Sequence, residues 1–333
     1  MNILCVYGTR PEYIKVKPLF NEFDKAGIKY KTLFTGQHKD LVKSSPDYSW
    51  NMKQFSENRL NSVLMNTLQL GDIYFTDITH VLVQGDTSSV LGLALNAYNR
   101  GLKVMHLEAG LRTYDNQNPF PEEVNRRMVS QIADIHLCPT ILSKDNLLEE
   151  RVLGEMFVVG NTALDNLVDL KKECEYTDKI LITLHRRENH PIMREWFIAI
   201  NIIAERNPTI DFIFPMHPNP NVQKHKELFT AANVTIVEPM NHDELMKILV
   251  KTKLVITDSG GIQEESSFFN KICLTCRTVT ERPEAIGQST VLVDAPTDLF
   301  SIFTNYITKF EIDFVSPFGD GTSAKKIGEI FKK

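Results

Sequence analysis

Three acidic turns in the first half of the chain carry the residue types that proton transfer needs. Gln84-Gly-Asp86-Thr-Ser88, His106-Leu-Glu108-Ala-Gly-Leu-Arg112 and Pro119-Phe-Pro-Glu122-Glu-Val-Asn-Arg126-Arg127 each follow an apolar run or open a helical period. If those runs are parallel strands, the turns leave one sheet edge together and Asp86, Glu108 and Glu122 converge. Converging carboxylates hold their proton affinities apart, so one can donate while another accepts. The same residues read alternatively as three unrelated caps or surface acids. Two further turns suit an anion. Gly8-Thr9-Arg10-Pro11-Glu12 precedes a helical period with Pro11 in its first turn. Asp258-Ser259-Gly260-Gly261-Ile-Gln-Glu264-Glu265 combines a close-approach glycine pair with a helix start and a carboxylate one turn in, able to accept ribose hydroxyls. An ordinary helix start, with Arg10 solvated and Ser259 as cap, accounts for these residues as well. Neither turn is the six-residue glycine fingerprint of dinucleotide folds or the glycine-lysine phosphate loop. His185-Arg186-Arg-Glu-Asn189 and Pro215-Met-His217-Pro-Asn-Pro220 each follow a strand in the second half, where His185, Arg186 and His217 can face a ligand.

Short apolar runs alternating with longer helical periods predict an α/β fold with parallel sheets covered on both faces. Strands are expected at 3–7, 30–34, 80–83, 103–107, 135–138 and 156–159, and then at 179–183, 211–214, 234–237, 254–257, 272–275 and 290–293. The polar stretch Leu170–Asp178 between the two series places a boundary near residue 172. This gives two doubly wound Rossmann-like domains, 1–172 and 173–315, facing across a cleft at the carboxyl ends of their strands. The tail, 316–333, carries one last helix that can cross back to the first domain.

The chain has 333 residues and 42 acidic against 37 basic side chains, a net charge of −5. No basic surplus supports nucleic-acid binding. No apolar stretch reaches the roughly 18 residues of a membrane span, and the opening run lacks a basic leader region, so a cytoplasmic protein is expected. Five cysteines, mostly in apolar runs, read as reduced thiols. Cys273-x-x-Cys276 lacks the second pair a zinc site needs, and His106-x-Glu108 lacks the downstream cysteines of a zinc deaminase, so no metal is expected.

The motifs GTRPE, TGQH, QGDTSS, HLEAGLRT, PFPEEVNRR, VVGNTALDNL, HRREN, MHPNP, DSGGIQEE, TERPEA and PFGDG, in this order over residues 1 to 325, resemble the UDP-N-acetylglucosamine 2-epimerase family of the non-hydrolysing type. The resemblance implies a fold of the glycogen-phosphorylase-like glycosyltransferase type (GT-B), with UDP held mainly by the second domain. It implies that Ser259, Gly260, Gly261 and Glu265 hold diphosphate and ribose and that Arg10 and His217 contact the diphosphate. Lys15 matches a lysine near the active site, and His185 and Arg186 stand with the substrate-binding set. Asp86, Glu108 and Glu122 match the acidic catalytic set, with Arg126 as its neighbour. The implied reaction inverts the sugar carbon bearing the acetamido group, by loss and return of UDP, without metal or redox cofactor, in a protein that is usually a homodimer. In bacterial members the TGQH turn helps form a second site where the substrate acts as activator, which singles out Gln37 and His38. The other wall of that site departs here, since Asn51–Asn61 has no glycine, and the loop after HRREN is trimmed near His190-Pro191.

Four other readings compete. A hydrolysing epimerase would release free N-acetylmannosamine, and Tyr13 is similar to that branch, whereas Lys15 and PFPEE are similar to the non-hydrolysing one. A different UDP-amino sugar is a second alternative, a glycosyltransferase of the same fold a third, and a catalytically silent UDP-sugar-binding regulator a fourth.

Overall fold

The computed structural model describes residues 1–37 and 45–332. The chain divides into two compact units, residues 1–166 with 319–333, and residues 167–318. The division falls a few residues ahead of the polar Leu170–Asp178 stretch, because the short helix Val168–Lys171 goes with the second unit.

The first unit is built on β1 (Asn2–Tyr7), β2 (Lys29–Phe34), β3 (Tyr48–Ser49), β4 (His80–Gln84), β5 (Lys103–Leu107), β6 (Ile135–Cys138) and β7 (Glu155–Val158). They form a parallel sheet in the order β3-β2-β1-β4-β5-β6-β7. Successive side chains of a strand point to opposite faces, which sorts the apolar run of β1 between two cores. Leu4 and Val6 pack with Val90, Leu93 and Ala97, while Ile3 and Cys5 pack with Val16, Leu19 and Phe23 of the Arg10–Ala26 helix. The Ser323–Phe331 helix adds Ala324 and Ile327 to this second core. Its first N–H groups, at Ser323 and Ala324, donate to the Asp165 carboxylate at 3.1 and 2.6 Å, which binds the chain's last helix to the first unit.

The second unit repeats the plan with β8 (Lys179–Thr183), β9 (Asp211–Pro215), β10 (Val234–Val237), β11 (Leu254–Thr257), β12 (Ile272–Thr275) and β13 (Thr290–Leu292), ordered β10-β9-β8-β11-β12-β13 and parallel throughout. Its core joins Ile180, Ile182, Phe212, Phe214, Leu254 and Ile256 to Trp196, Phe197 and Phe303 of the covering helices. In both sheets the strand order reverses beside the first strand of the series, so the turns after β1 and β4, and after β8 and β11, lie at switch points where open α/β sheets bind ligands. All twelve expected strands are present within a residue or two of their expected ends; the additional one, β3, is a two-residue edge strand too short to carry a period.

No helix among the described residues is long and apolar enough to cross a membrane, and none of their His, Cys, Asp and Glu side chains forms a group of three placed for a metal ion. The five cysteines are free thiols. Burial pushes Cys273 up to about 12 and Cys276 well above the ordinary thiol value, so the Cys273-x-x-Cys276 pair is inert packing.

Candidate active site

In the first unit the acidic turns leave the sheet beside the N-terminal helix. Thr9 and Glu12 form a capping box at the start of the Arg10–Ala26 helix, with Pro11 in its first turn and exposed Arg10 as its first residue. One turn further in, Lys15 Nζ lies 2.6 Å from both Glu108 carboxylate oxygens, and Gln84 Nε2 also donates to Glu108 Oε2. Glu108 directly follows β5 with φ 67, the left-handed region that a non-glycine residue occupies at a cost of about 1–3 kcal/mol. Its N–H donates to Leu137 O at 3.0 Å and that of Ala109 to the same oxygen at 3.2 Å, so β6 holds the strained turn in place.

Gly85 and Asp86 follow β4. Gly85 takes φ 81, and its carbonyl accepts from His106 Nε2 at 2.8 Å. Burial drives His106 down to about 3, so the ring is neutral and carries its proton on the nitrogen facing that carbonyl. Asp86 accepts from Arg126 Nε at 3.0 Å and Nη2 at 2.5 Å, while Asn125 Nδ2 donates to its backbone carbonyl at 2.9 Å. The two adjacent acids that open the Glu122–Ile132 helix differ in surroundings. Glu123 is fully buried, binds Arg126 Nη1 at 3.1 Å and accepts the N–H groups of Thr113 and Tyr114, whereas Glu122 is only half-buried. Glu123 therefore fixes Arg126, and Glu122 is the less enclosed of the two acids.

Gln37 accepts from Ser89 Oγ at 2.8 Å and lines a cavity of about 360 Å3 together with Met52, Lys53, Gln54, Arg59 and Asn66. The segment that departs from the family pattern thus supplies one of its walls. His38 lies outside the described residues.

In the second unit the turns after β8, β9 and β11 assemble a basic and glycine-rich edge. Asp258, fully buried, accepts from His185 N at 3.0 Å, Arg186 N at 2.8 Å and Asn189 Nδ2 at 3.1 Å, tying the end of β8 to the end of β11. The rings of His185 and His217 stack with centroids 5.1 Å apart. His217 Nδ1 accepts from Asn219 N at 3.1 Å, and burial together with the neighbouring His185 holds its proton affinity below the ordinary histidine value. A neutral His217 then presents Nε2–H as a donor.

Ser259 caps the Gly260–Phe268 helix by position, but its hydroxyl makes no capping hydrogen bond, so the helix start is not closed by its own side chain. A Cβ on Gly260 would lie 2.3 Å from Arg282 Nη1, in a buried network where Arg282 pairs with Glu264 and Glu281, and Arg277 with Glu281 at 3.0 Å. A Cβ on Gly261 would meet nothing nearer than Ser259 Oγ at 4.0 Å. Glu265 Oε1 lies 2.5 Å from His242 Nε2. His242 gives no pattern in sequence, being a histidine that opens a polar helix turn; Asp258 and the Glu281–Arg282 pair lie in the DSGGIQEE and TERPEA motifs, whose spacing does not show what they bind.

Two parallel α/β units, one offering carboxylates clamped by Lys15 and Arg126 and the other an open helix start beside histidines, define a nucleotide-sugar enzyme of the GT-B class. Residues 21–332 match the family described as UDP-N-acetylglucosamine 2-epimerase, and the chain belongs to that family. It is 34% identical to the UDP-N-acetylglucosamine 2-epimerase of Salmonella borreze, over 99% of this chain and 97% of that one. Among solved structures it is similar to the UDP-GlcNAc 2-epimerase from Neisseria meningitidis bound to UDP-GlcNAc, at 33% identity and a TM-score of 0.89 over 99% of each chain. It is also similar to the Methanocaldococcus jannaschii UDP-GlcNAc 2-epimerase in complex with UDP-GlcNAc and UDP, at 29% identity and a TM-score of 0.82, again over 99% of each chain.

Proposed function

We propose that the chain interconverts UDP-N-acetylglucosamine and UDP-N-acetylmannosamine without net hydrolysis. The observation that carries this reading is the end-to-end likeness to a 2-epimerase crystallised with UDP-GlcNAc, in a chain that keeps Asp86, Glu108 and Glu122 together with the Ser259–Gly261 helix start.

The chemistry dictates the route. The proton on C2 has no adjacent ring carbonyl, so its direct removal is prohibitive. Departure of UDP with the C1–O electron pair leaves a cation-like ring, and that charge makes the C2 proton removable. A carboxylate takes it, giving 2-acetamidoglucal. UDP then re-adds at C1 while a second acid returns a proton to the opposite face of C2, so atoms balance and no redox partner or metal is involved. In this reading Asp86, Glu108 and Glu122 divide the two proton transfers, with Arg126 orienting Asp86 and Lys15 compensating Glu108. Arg10, His217, Ser259, Gly260 and Gly261 stabilise the departing diphosphate. Glu265 takes the ribose hydroxyls, and His185 and Arg186 complete the nucleotide site. Gln37 and His38 belong to a separate activator site, and the enzyme works as a cytoplasmic homodimer.

Proton NMR with UDP-N-acetylglucosamine in deuterated water tests the reading. UDP-N-acetylmannosamine labelled with deuterium at C2, with no free sugar accumulating, is expected. Free N-acetylmannosamine plus UDP would reassign the chain to hydrolysis, and unchanged substrate would point to another UDP-amino sugar or to a missing activator.

A further inference from the structure

The reaction above leaves Glu12 without a role, yet its carboxyl group is one of the most completely engaged in the first unit. It is buried; Oε2 accepts the N–H of Gly8 at 2.6 Å and of Thr9 at 3.1 Å, and Oε1 meets the Thr87 hydroxyl at 2.9 Å. Gly8 and Thr9 form the turn that delivers Arg10. Thr87 follows Asp86 and caps the Ser88–Asn99 helix. One side chain therefore fastens the Arg10 turn to the Asp86 turn across 75 positions of sequence. The first turn has no slack, since a Cβ on Gly8 would lie 2.1 Å from Thr35 Oγ1.

Counting protons gives the charge of this link. Beyond Thr87 the contacts continue to Ser89 Oγ at 2.8 Å and from there to Gln37 Oε1 at 2.8 Å. Three contacts, Glu12–Thr87, Thr87–Ser89 and Ser89–Gln37, share two hydroxyl protons if Glu12 is ionised, so with Gln37 Oε1 accepting, one contact has no hydrogen. A proton on Glu12 Oε1 completes a chain running one way, Glu12 to Thr87 to Ser89 to Gln37, and leaves Oε2 free to accept both N–H groups. The groups facing the carboxyl are the Gly8 and Thr9 N–H groups and the Thr9 and Thr87 hydroxyls, and burial, the largest influence on it, raises its proton affinity.

We propose that Glu12 is a positioning residue of the epimerisation, working as a neutral acid that locks the Arg10 turn to the Asp86 turn without adding charge to the acidic set. This rests on the function proposed above. Glu12→Gln reproduces the neutral acid, its carbonyl accepting from Gly8 and Thr9 and its amide donating to Thr87; Glu12→Ala removes both ends of the lock. Thr87→Val cuts the tie to the Asp86 turn together with the helix cap and the Ser89 contact, while leaving the Gly8 and Thr9 bonds to Glu12, and Thr87→Ser restores the hydroxyl. The experiment measures kcat, KM and the pH profile for UDP-N-acetylglucosamine in wild type and the four variants, with UDP affinity by calorimetry and thermal unfolding as controls. The expected result is a loss of about 10²-fold in kcat for Glu12→Ala, the scale of a misplaced reacting group. UDP affinity should hold, and Glu12→Gln should restore most of the turnover with a pH profile that superimposes on wild type. Thr87→Val should lose kcat in the same direction and Thr87→Ser recover it. Folded Glu12→Ala and Thr87→Val proteins with wild-type kcat would overturn the positioning role, and Glu12→Gln as slow as Glu12→Ala would overturn the neutral acid. A wild type that leaves UDP-N-acetylglucosamine unchanged would instead sink the reading of the reaction on that sugar, which the variants then could not test, and the proposed role with it.

Discussion

Lys15 Nζ sits 2.6 Å from both carboxylate oxygens of Glu108, while Gln84 donates to one of them. The N-terminal helix, the end of β4 and the end of β5 thus meet on one acid, held in a left-handed backbone conformation. A carboxylate gripped from two sides has a fixed direction, which a proton-transfer group requires. Glu108→Gln keeps size and the contact to Lys15 but cannot exchange a proton. Its kcat should fall about 10²–10⁴-fold with UDP affinity unchanged, read by steady-state kinetics and calorimetry.

The Asp86–Arg126 pair makes a separate forecast. Arg126 reaches Asp86 through two nitrogens and is itself held by buried Glu123. Asp86→Asn should give a folded protein with negligible epimerisation and undiminished UDP binding. Normal turnover by that variant would remove Asp86 from the reaction. Glu123→Gln, which weakens the hold on Arg126 and one of the bonds from the Thr113 and Tyr114 N–H groups, should lower kcat by a smaller factor, about tenfold for one weakened charge-assisted hydrogen bond.

The neutral imidazole of His106 makes stability depend on pH. Its folded value, driven to about 3 by burial, lies below the roughly 6.5 of an unfolded histidine. The unfolded chain therefore binds the extra proton first as pH falls. The stabilisation is complete above about pH 6.5 and is lost going down toward 3, with a slope of roughly 1.4 kcal/mol per pH unit. Denaturant titrations between pH 7.5 and 4.5 measure this slope. His106→Gln, which still donates toward the Gly85 carbonyl, should flatten it; an unchanged slope would place the acid sensitivity elsewhere.

The sheets were legible because each buried parallel strand is an apolar run that ends at a turn, as at Leu254–Thr257 before Asp258-Ser259-Gly260-Gly261. The chemistry-bearing residue types were legible for the same reason, since they crowd into those turns. Pairing was not. Nothing in the spacing says that Lys15 meets Glu108, 93 residues away, or that Arg126 meets Asp86, 40 residues away. Glu122 and Glu123 are chemically identical neighbours at a helix start, and only packing decides that Glu123 turns inward. Glu12 stands three residues after Thr9, the spacing of a capping box, and nothing in that local pattern shows its further bond to Thr87.

His242 and Glu265 show how a partner outside any motif shapes one inside. His242 Nε2 lies 2.5 Å from Glu265 Oε1, which fixes the carboxylate proposed to take the ribose hydroxyls. His242→Ala should weaken UDP binding about tenfold, one hydrogen bond to a charged group, while kcat at saturating substrate changes little. Calorimetry with UDP reads this directly. A drop in kcat at unchanged affinity would mean that the pair serves the sugar chemistry rather than the nucleotide.

Gly260 and Gly261 are adjacent yet should fail in opposite ways. A methyl group on Gly260 collides with Arg282 Nη1 at 2.3 Å and Cζ at 2.8 Å, inside a buried ion network that cannot give way cheaply. Gly260→Ala should cost about 1–3 kcal/mol of stability, as overpacking does, whether or not nucleotide is present. Gly261 faces open space at the helix start, so Gly261→Ala should leave the fold intact and add about 0.5–1 kcal/mol through helix propensity. If the diphosphate lies against that helix start, the same methyl group occupies its approach and UDP affinity falls by at least tenfold in a protein that melts no lower than wild type. Thermal unfolding and UDP calorimetry on the two variants separate these outcomes. A Gly261→Ala protein that binds UDP as tightly as wild type would move the diphosphate away from the Gly260–Phe268 helix.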